Sequence, residues 1–325
     1  MDLAYRLKLA LLLDAAQFFY LVKLTPLGFL LGTTLLLHSM LLPRIGAARA
    51  SLAAFTYTAF PGFATTLFGP LIGQFDPIPV FFSLLALALF WRGRRDLSAL
   101  SLGTGIAFKY YPLVFLPAFL CGMREGRARY AALALAPLAA VSLPPMLADW
   151  EAYAAMQTIY RDWAGSISPY SLVYAALRLH PHLWFGRCGE CLGSLAGAVS
   201  FLSLFSAATT VAANAVCYAV ACSRKTEPHE AALLALLAIF SFFKYVQHHY
   251  VAWAMPLVVL DLALSWRKAR LCAMAWAGAT FIMAATYFFE GDGRSLGMLV
   301  VRGLAVPLAS LAYLAGLLLR QWRKR

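Results

Sequence analysis

Asp76, Lys109, Lys244 and His248 are the residues of this chain whose type and placement can do chemistry. Asp76 stands alone at the start of an apolar stretch, and Lys109 and Lys244 each interrupt another. Ionisable groups in or beside hydrocarbon are costly and are functional by default. A carboxylate can take a proton from an attacking hydroxyl. Lysine, arginine or histidine can hold a phosphate and stabilise the charge that develops as it departs. Asp76 is therefore the candidate acid-base group, with Lys109, Lys244, His248 and Arg161 as candidate phosphate contacts. A structural reading stands beside each. Asp followed by Pro77 is a standard helix N-cap, and either lysine can snorkel to the interface or pair with Asp76. Asp14, in an apolar segment, and Asp149, Glu151 and Asp162 are the other carboxylates that could reach such a site.

Other chemistries find little support. There is no P-loop, no GxGxxG, no HExxH and no GxSxG, and the adjacent His248-His249 pair is poorly spaced for a metal on a helix. No metal ligands are assigned, and dependence on a divalent ion is left open. Cys188 and Cys191 have CxxC spacing and are read as a short disulfide; zinc with His180 and His182 is the weaker alternative. Cys121, Cys217, Cys222 and Cys272 lie at or within apolar segments and are read as packing residues.

The elements that must position these residues are membrane helices. The chain has 325 residues, 62% of them hydrophobic and only 13% charged, with a mean hydropathy of +0.73. That composition cannot cover a soluble globule of this size. The net charge of +13 suggests no nucleic-acid partner, because most of the 27 Lys and Arg fall in short patches between apolar segments: Arg44/Arg49, Arg92/Arg94/Arg95, Arg124/Arg127/Arg129, Arg224/Lys225, Arg267/Lys268/Arg270 and the C-terminal run from Arg320. Short basic loops mark the cytoplasmic side.

A crossing needs roughly 20 apolar residues. Eight stretches qualify: 5–22, 26–43, 50–67, 76–92, 130–147, 197–222, 270–288 and 296–319. Residues 98–121 and 231–264 each lie between two basic patches, so a single crossing would put arginines on the wrong side. Each is read as a re-entrant hairpin of two short helices, turning near Lys109–Pro112 and near Lys244–His249. The expectation is an all-α polytopic membrane protein of about twelve membrane helices. It forms one integral domain over 1–325, in a prokaryotic plasma membrane or the endoplasmic reticulum, with both termini cytoplasmic. Broken helices at membrane depth must line a polar cavity or be buried in protein, here on the outer side with Asp76. An outer loop at about 148–196 adds aromatic residues that form an interfacial belt or stack on sugar rings. A lipid-linked phosphate sugar suits such a site, its tail against the helices and its head in the cavity.

Two blocks carry a family resemblance. Gly73-Gln74-Phe75-Asp76, followed by an apolar helix, Arg94-Arg95, Gly103/Gly105 and Lys109-Tyr110-Tyr111-Pro112, resembles the GQxD and KxxP blocks of GT-C membrane glycosyltransferases. Phe243-Lys244 through Gln247-His248-His249-Tyr250, with Trp253 and Pro256, is similar to their K and Q/H-Y-x-x-W-x-x-P region. The likeness is greatest to family 87 and related polyprenyl-phosphate-mannose-dependent mannosyltransferases. It implies inverting transfer of a hexose, expected to be mannose, from a polyprenyl or dolichyl phosphate sugar to a lipid or glycan acceptor on the extracytoplasmic face. It also adds Gln74, Tyr110, Gln247, His249 and Tyr250 to the substrate-binding set. One departure stands out. The family places its catalytic acid in a sizeable loop after the first helix, whereas the connection expected here, Lys23–Pro26, is short and has no acid. That leaves a protein partner supplying the missing elements, a non-catalytic subunit, or a lipid or polar-solute transporter as alternatives.

Overall fold

A computed structural model describes residues 15–59, 75–158, 168, 170, 191–264, 268–290 and 296–323. Among them are twelve α-helices and no strand: α1 Ala15–Ile45, α2 Ala47–Ala59, α3 Pro77–Trp91, α4 Arg95–Phe108, α5 Phe115–Cys121, α6 Arg127–Ala148, α7 Trp150–Thr158, α8 Cys191–Ser223, α9 Pro228–Phe242, α10 Val251–Leu264, α11 Lys268–Glu290 and α12 Leu296–Trp322. Stretches of α1, α6, α8 and α12 are long and apolar enough to cross a bilayer. The protein is an all-α polytopic membrane protein.

The twelve helices are not quite the twelve expected. The described part of the span placed at 5–22, from Ala15, runs through Lys23–Pro26 into the span placed at 26–43 as the continuous helix α1, with Pro26 inside it. Proline removes one backbone donor but need not end an apolar helix, and Lys-Leu-Thr-Pro offers no glycine to reverse the chain. At 1.5 Å per residue, the 31 residues of α1 extend about 46 Å. There is accordingly no loop at 23–26, and the comparison of its length with a family loop falls away. The short α7 lies in the segment expected as the outer loop.

Both expected helix breaks are present, and the chain turns back after each. Helix α4 stops at Lys109, whose extended backbone (φ −160°, ψ 138°) breaks the helical run, and a 3₁₀ turn, Tyr111–Val114, leads into α5. Phe119 of α5 returns to Phe90 at the C-terminal end of α3, with ring centroids 4.9 Å apart. Helix α9 likewise stops at Phe243, and the 3₁₀ turn His248–Tyr250 leads into α10. The first turn of α9, at His229, lies against Trp91, and the end of α10, Leu262 to Leu264, shares a cavity lining with Arg44 of α1 and Arg49 of α2. The reason is local: Pro112 has no N–H to give the Phe108 carbonyl, and Phe243 to Gln247 is rich in aromatic and β-branched residues that favour extended backbone.

Helices α3, α4 and α6 pack closely. A methyl group on Gly103 would come within 2.5 Å of the Ala134 carbonyl oxygen and 2.7 Å of Pro137 Cδ. Backbone and a rigid ring cannot yield cheaply, so this glycine sets the α4–α6 spacing. Overpacking costs about 1–3 kcal/mol and at times more. Gly103→Val is accordingly expected to lower Tm by several degrees, read by thermal denaturation in detergent; an unchanged Tm would contradict the close approach.

The arginine patches gather at one end of the fold. Arg44 lies 3.8 Å above the Trp91 ring, Arg129 pairs with Asp96 at 2.6 Å, and Arg320 reaches Glu230 at 2.8 Å and Asp261 at 2.9 Å. Asp76 lies at the opposite end of α3. Cys121 and Cys222, read from sequence as packing residues, are joined in a disulfide across α5 and α8, with Cα atoms 4.9 Å apart. Their separation of 101 residues gave no spacing signal; the return of α5 to the arginine end brings them together. Cys217 and Cys272 are free, whereas Cys188, His180 and His182 lie outside the described residues, so the CxxC reading is not addressed.

Candidate active site

The two hairpin turns meet at Asp76. The residue occupies the N-cap position of α3, with Pro77 following, yet its side chain makes no capping hydrogen bond. The cap-only reading therefore fails. The carboxylate turns instead toward the breaks: Lys109 Nζ lies 2.8 Å from Oδ1, and Trp253 Nε1 donates to the same oxygen at 2.5 Å. His249 Nε2 stands 3.8 Å from Oδ2, beyond hydrogen-bond range. The Asp76 side chain is only 4% exposed while that of Lys109 is 30% exposed. The ion pair is closed at its carboxylate and open at its ammonium.

An aromatic stack fixes this geometry. Trp253 lies between Tyr111, parallel at 4.2 Å, and Tyr250, at 3.8 Å. Lys109 Nζ sits 4.4 Å from the Tyr250 ring centre and 5.1 Å from that of Trp253, where the ring faces add attraction to the Asp76 charge. His249 meets Tyr250 edge-on at 4.7 Å. A side chain locked on both faces loses little entropy when its N–H engages Asp76, and so holds the carboxylate in position.

The structure brings together Asp76, Lys109, His249 and Tyr250 from the residues singled out in the sequence. Lys244 is buried, but its described bonds run to α8: Nζ donates to Ser203 Oγ at 2.5 Å and its backbone N–H to Ser206 Oγ at 2.7 Å. Ser206 in turn donates to the Phe242 carbonyl at 3.0 Å, so this network secures the break after α9. Tyr110 is half exposed, and Gln247 accepts the Tyr250 backbone N–H at 2.9 Å. Gln74 and Arg161, Asp14, Asp162 and the side chain of His248 lie outside the described residues. Asp149 Oδ1 accepts the Ala152 N–H at 2.9 Å, so it caps the start of α7, and Glu151 is exposed.

Tyr111 and Trp253 complete the site, although neither was counted among its residues. Trp253 stood in the resembling motif, three residues after Tyr250, on which its ring stacks across the junction of the 3₁₀ turn and α10; Tyr111 had only its neighbours in Lys109-Tyr110-Tyr111-Pro112 to announce it. Among the described residues no group of three or more His, Cys, Asp or Glu could hold a metal ion.

The family model described as glycosyltransferase family 87 matches residues 7–243. The chain belongs to glycosyltransferase family 87. No curated protein matches, and no solved structure does. For this family 87 member the match covers Asp76 and Lys109 but stops just before Lys244. The second hairpin turn is tied to the site by its contacts with Asp76, through His249 and Trp253.

Proposed function

We propose that this family 87 glycosyltransferase is a GT-C type enzyme that moves a hexose, mannose in the first instance, from a polyprenyl or dolichyl phosphate sugar to a lipid or glycan acceptor. The reaction takes place on the extracytoplasmic face, opposite the arginine end, and both termini are cytoplasmic. The observation that carries the reading is the Asp76–Lys109 pair, 2.8 Å apart, held between two broken hairpins. A lipid-borne donor can approach such a pair along the helices with its headgroup at the breaks.

In this reading the acceptor hydroxyl attacks the anomeric carbon from the face opposite the phosphate. The new carbon–oxygen bond forms as the bond to the phosphate oxygen breaks, and the lipid phosphate leaves with that electron pair. The configuration inverts. The hydroxyl proton passes to Asp76 Oδ2, which acceptor binding must uncover, because Oδ1 already accepts from Lys109 and Trp253. An ammonium has three N–H donors. Lys109 uses one on Asp76, and its exposed remainder can meet the leaving phosphate.

Lys244 is the second proposed phosphate contact, drawn from its place in the other hairpin turn. A hydrogen bond to a charged group contributes about 1.5–3 kcal/mol, so Lys244→Ala is expected to weaken donor binding about 10- to 100-fold, more than it changes expression. Normal donor affinity in a folded variant would remove this role.

The direct test supplies the purified chain with polyprenyl phosphate [¹⁴C]mannose and a lipid extract, then determines the anomeric configuration of the product. Labelled product of inverted configuration is expected. Retention would exclude the single displacement, and donor binding without transfer would point to a missing partner or another acceptor.

A further inference from the structure

A second polar site lies at the other end of the molecule. A cavity of about 580 Å³ opens between the C-terminal end of α1, the first turns of α2, the end of α10 and the start of α11. Arg44, Arg49 and Arg270, each from a different helix, line it together with Leu52, Val259 and Leu262. Among the described residues no carboxylate lines it.

The charges and the apolar lining are ordered along the cavity. Arg49, Leu52, Ala53 and Thr56 all line it from α2, and their spacing of three, four and seven residues makes one continuous stripe of that helix. It runs about 10 Å at 1.5 Å per residue. The arginine is at the loop end and the apolar residues follow toward the membrane interior. The last residues of α10, Val259, Leu262, Ala263 and Leu264, line the same cavity. Arginines serving topology alone need only stand in short loops. Here three from separate elements line one largely apolar cavity.

We propose that this cavity binds an anionic phospholipid of the leaflet opposite the Asp76 site, its phosphate among Arg44, Arg49 and Arg270 and an acyl chain along the trough between α2 and α10. Guanidinium groups suit phosphate because they present paired donors in a plane. A basic pocket between membrane helices is the expected form of a headgroup site. The trough distinguishes this site from a surface that attracts phosphate by charge alone. The proposal is independent of the sugar transfer, since the two sites lie at opposite ends of α3.

The test uses the full chain, purified in detergent and stripped of lipid, with native mass spectrometry reading bound phosphatidylglycerol, phosphatidylcholine and inorganic phosphate. The wild-type chain is expected to bind phosphatidylglycerol at least about 10-fold more tightly than phosphatidylcholine, with inorganic phosphate failing to compete at equal concentration. Arg49→Gln/Arg270→Gln should remove that preference while leaving the Arg44–Trp91 stack in place. Ala53→Trp, which fills the trough and keeps all three arginines, should lower phosphatidylglycerol binding by a similar factor. Equal binding of the two lipids, effective competition by inorganic phosphate, or unchanged lipid binding in folded Ala53→Trp would each overturn the proposal.

Discussion

Asp76→Asn is expected to lower sugar transfer by about 10²- to 10⁴-fold, the range a positioned general base contributes, while donor remains bound. Asparagine preserves the shape and can still accept from Lys109 and Trp253 at the Oδ1 position, but its other terminus cannot take a proton. The variant should fold, because Lys109 is 30% exposed and water can solvate an ammonium that has lost its counter-charge. The discriminating observation is therefore a fall in kcat with little change in KM. A variant that keeps wild-type kcat would move the base elsewhere. Asp149 would be a weak substitute because its Oδ1 caps α7.

Lys109→Met carries the second large effect, and it has two parts. The phosphate loses its proposed partner, so donor binding should weaken by about 10- to 100-fold. Asp76, only 4% exposed on its side chain, loses its ion pair and keeps only the Trp253 N–H as a close donor. Stranding a fully buried charge costs about 3–5 kcal/mol; water at the exposed Lys109 end brings the expected loss nearer to about 2 kcal/mol. Thermal denaturation should show Lys109→Met less stable than the wild-type chain, and Lys109→Met/Asp76→Asn more stable than Lys109→Met alone, since the double variant removes the stranded charge. A double variant no more stable than the single one would mean that the pair is not coupled as its geometry indicates.

Much of this arrangement could be read from the sequence because membrane burial makes polar residues conspicuous. Asp76 and Lys109 stood out as isolated charges in apolar surroundings, and both proved to face each other. The hairpins followed from a charge argument alone: a single crossing of 98–121 or 231–264 would have separated basic patches that the fold gathers at one end. The join of the first two expected spans into α1 was not legible. Lys23 and Pro26 look like a boundary in sequence, yet neither a single cation nor a proline ends a helix whose neighbours can accommodate it. The Cys121–Cys222 pairing depends on tertiary contact between α5 and α8, and no local pattern encodes that. Trp253 shows the opposite limit. The sequence shows it as a member of the resembling motif, but that its N–H reaches a carboxylate contributed by another element is visible only in the fold.

The central claim is that chemistry takes place where the two hairpin turns meet Asp76. Photolabelling of the purified chain with a polyprenyl phosphate sugar analogue, its photoreactive group on the sugar, tests this most directly. Peptide mapping is expected to find the label on the segments carrying Asp76, Lys109–Tyr111 and His249–Trp253, with labelling suppressed by unmodified donor. Donor-suppressible label confined to the arginine end, or to segments away from both turns, would contradict the account.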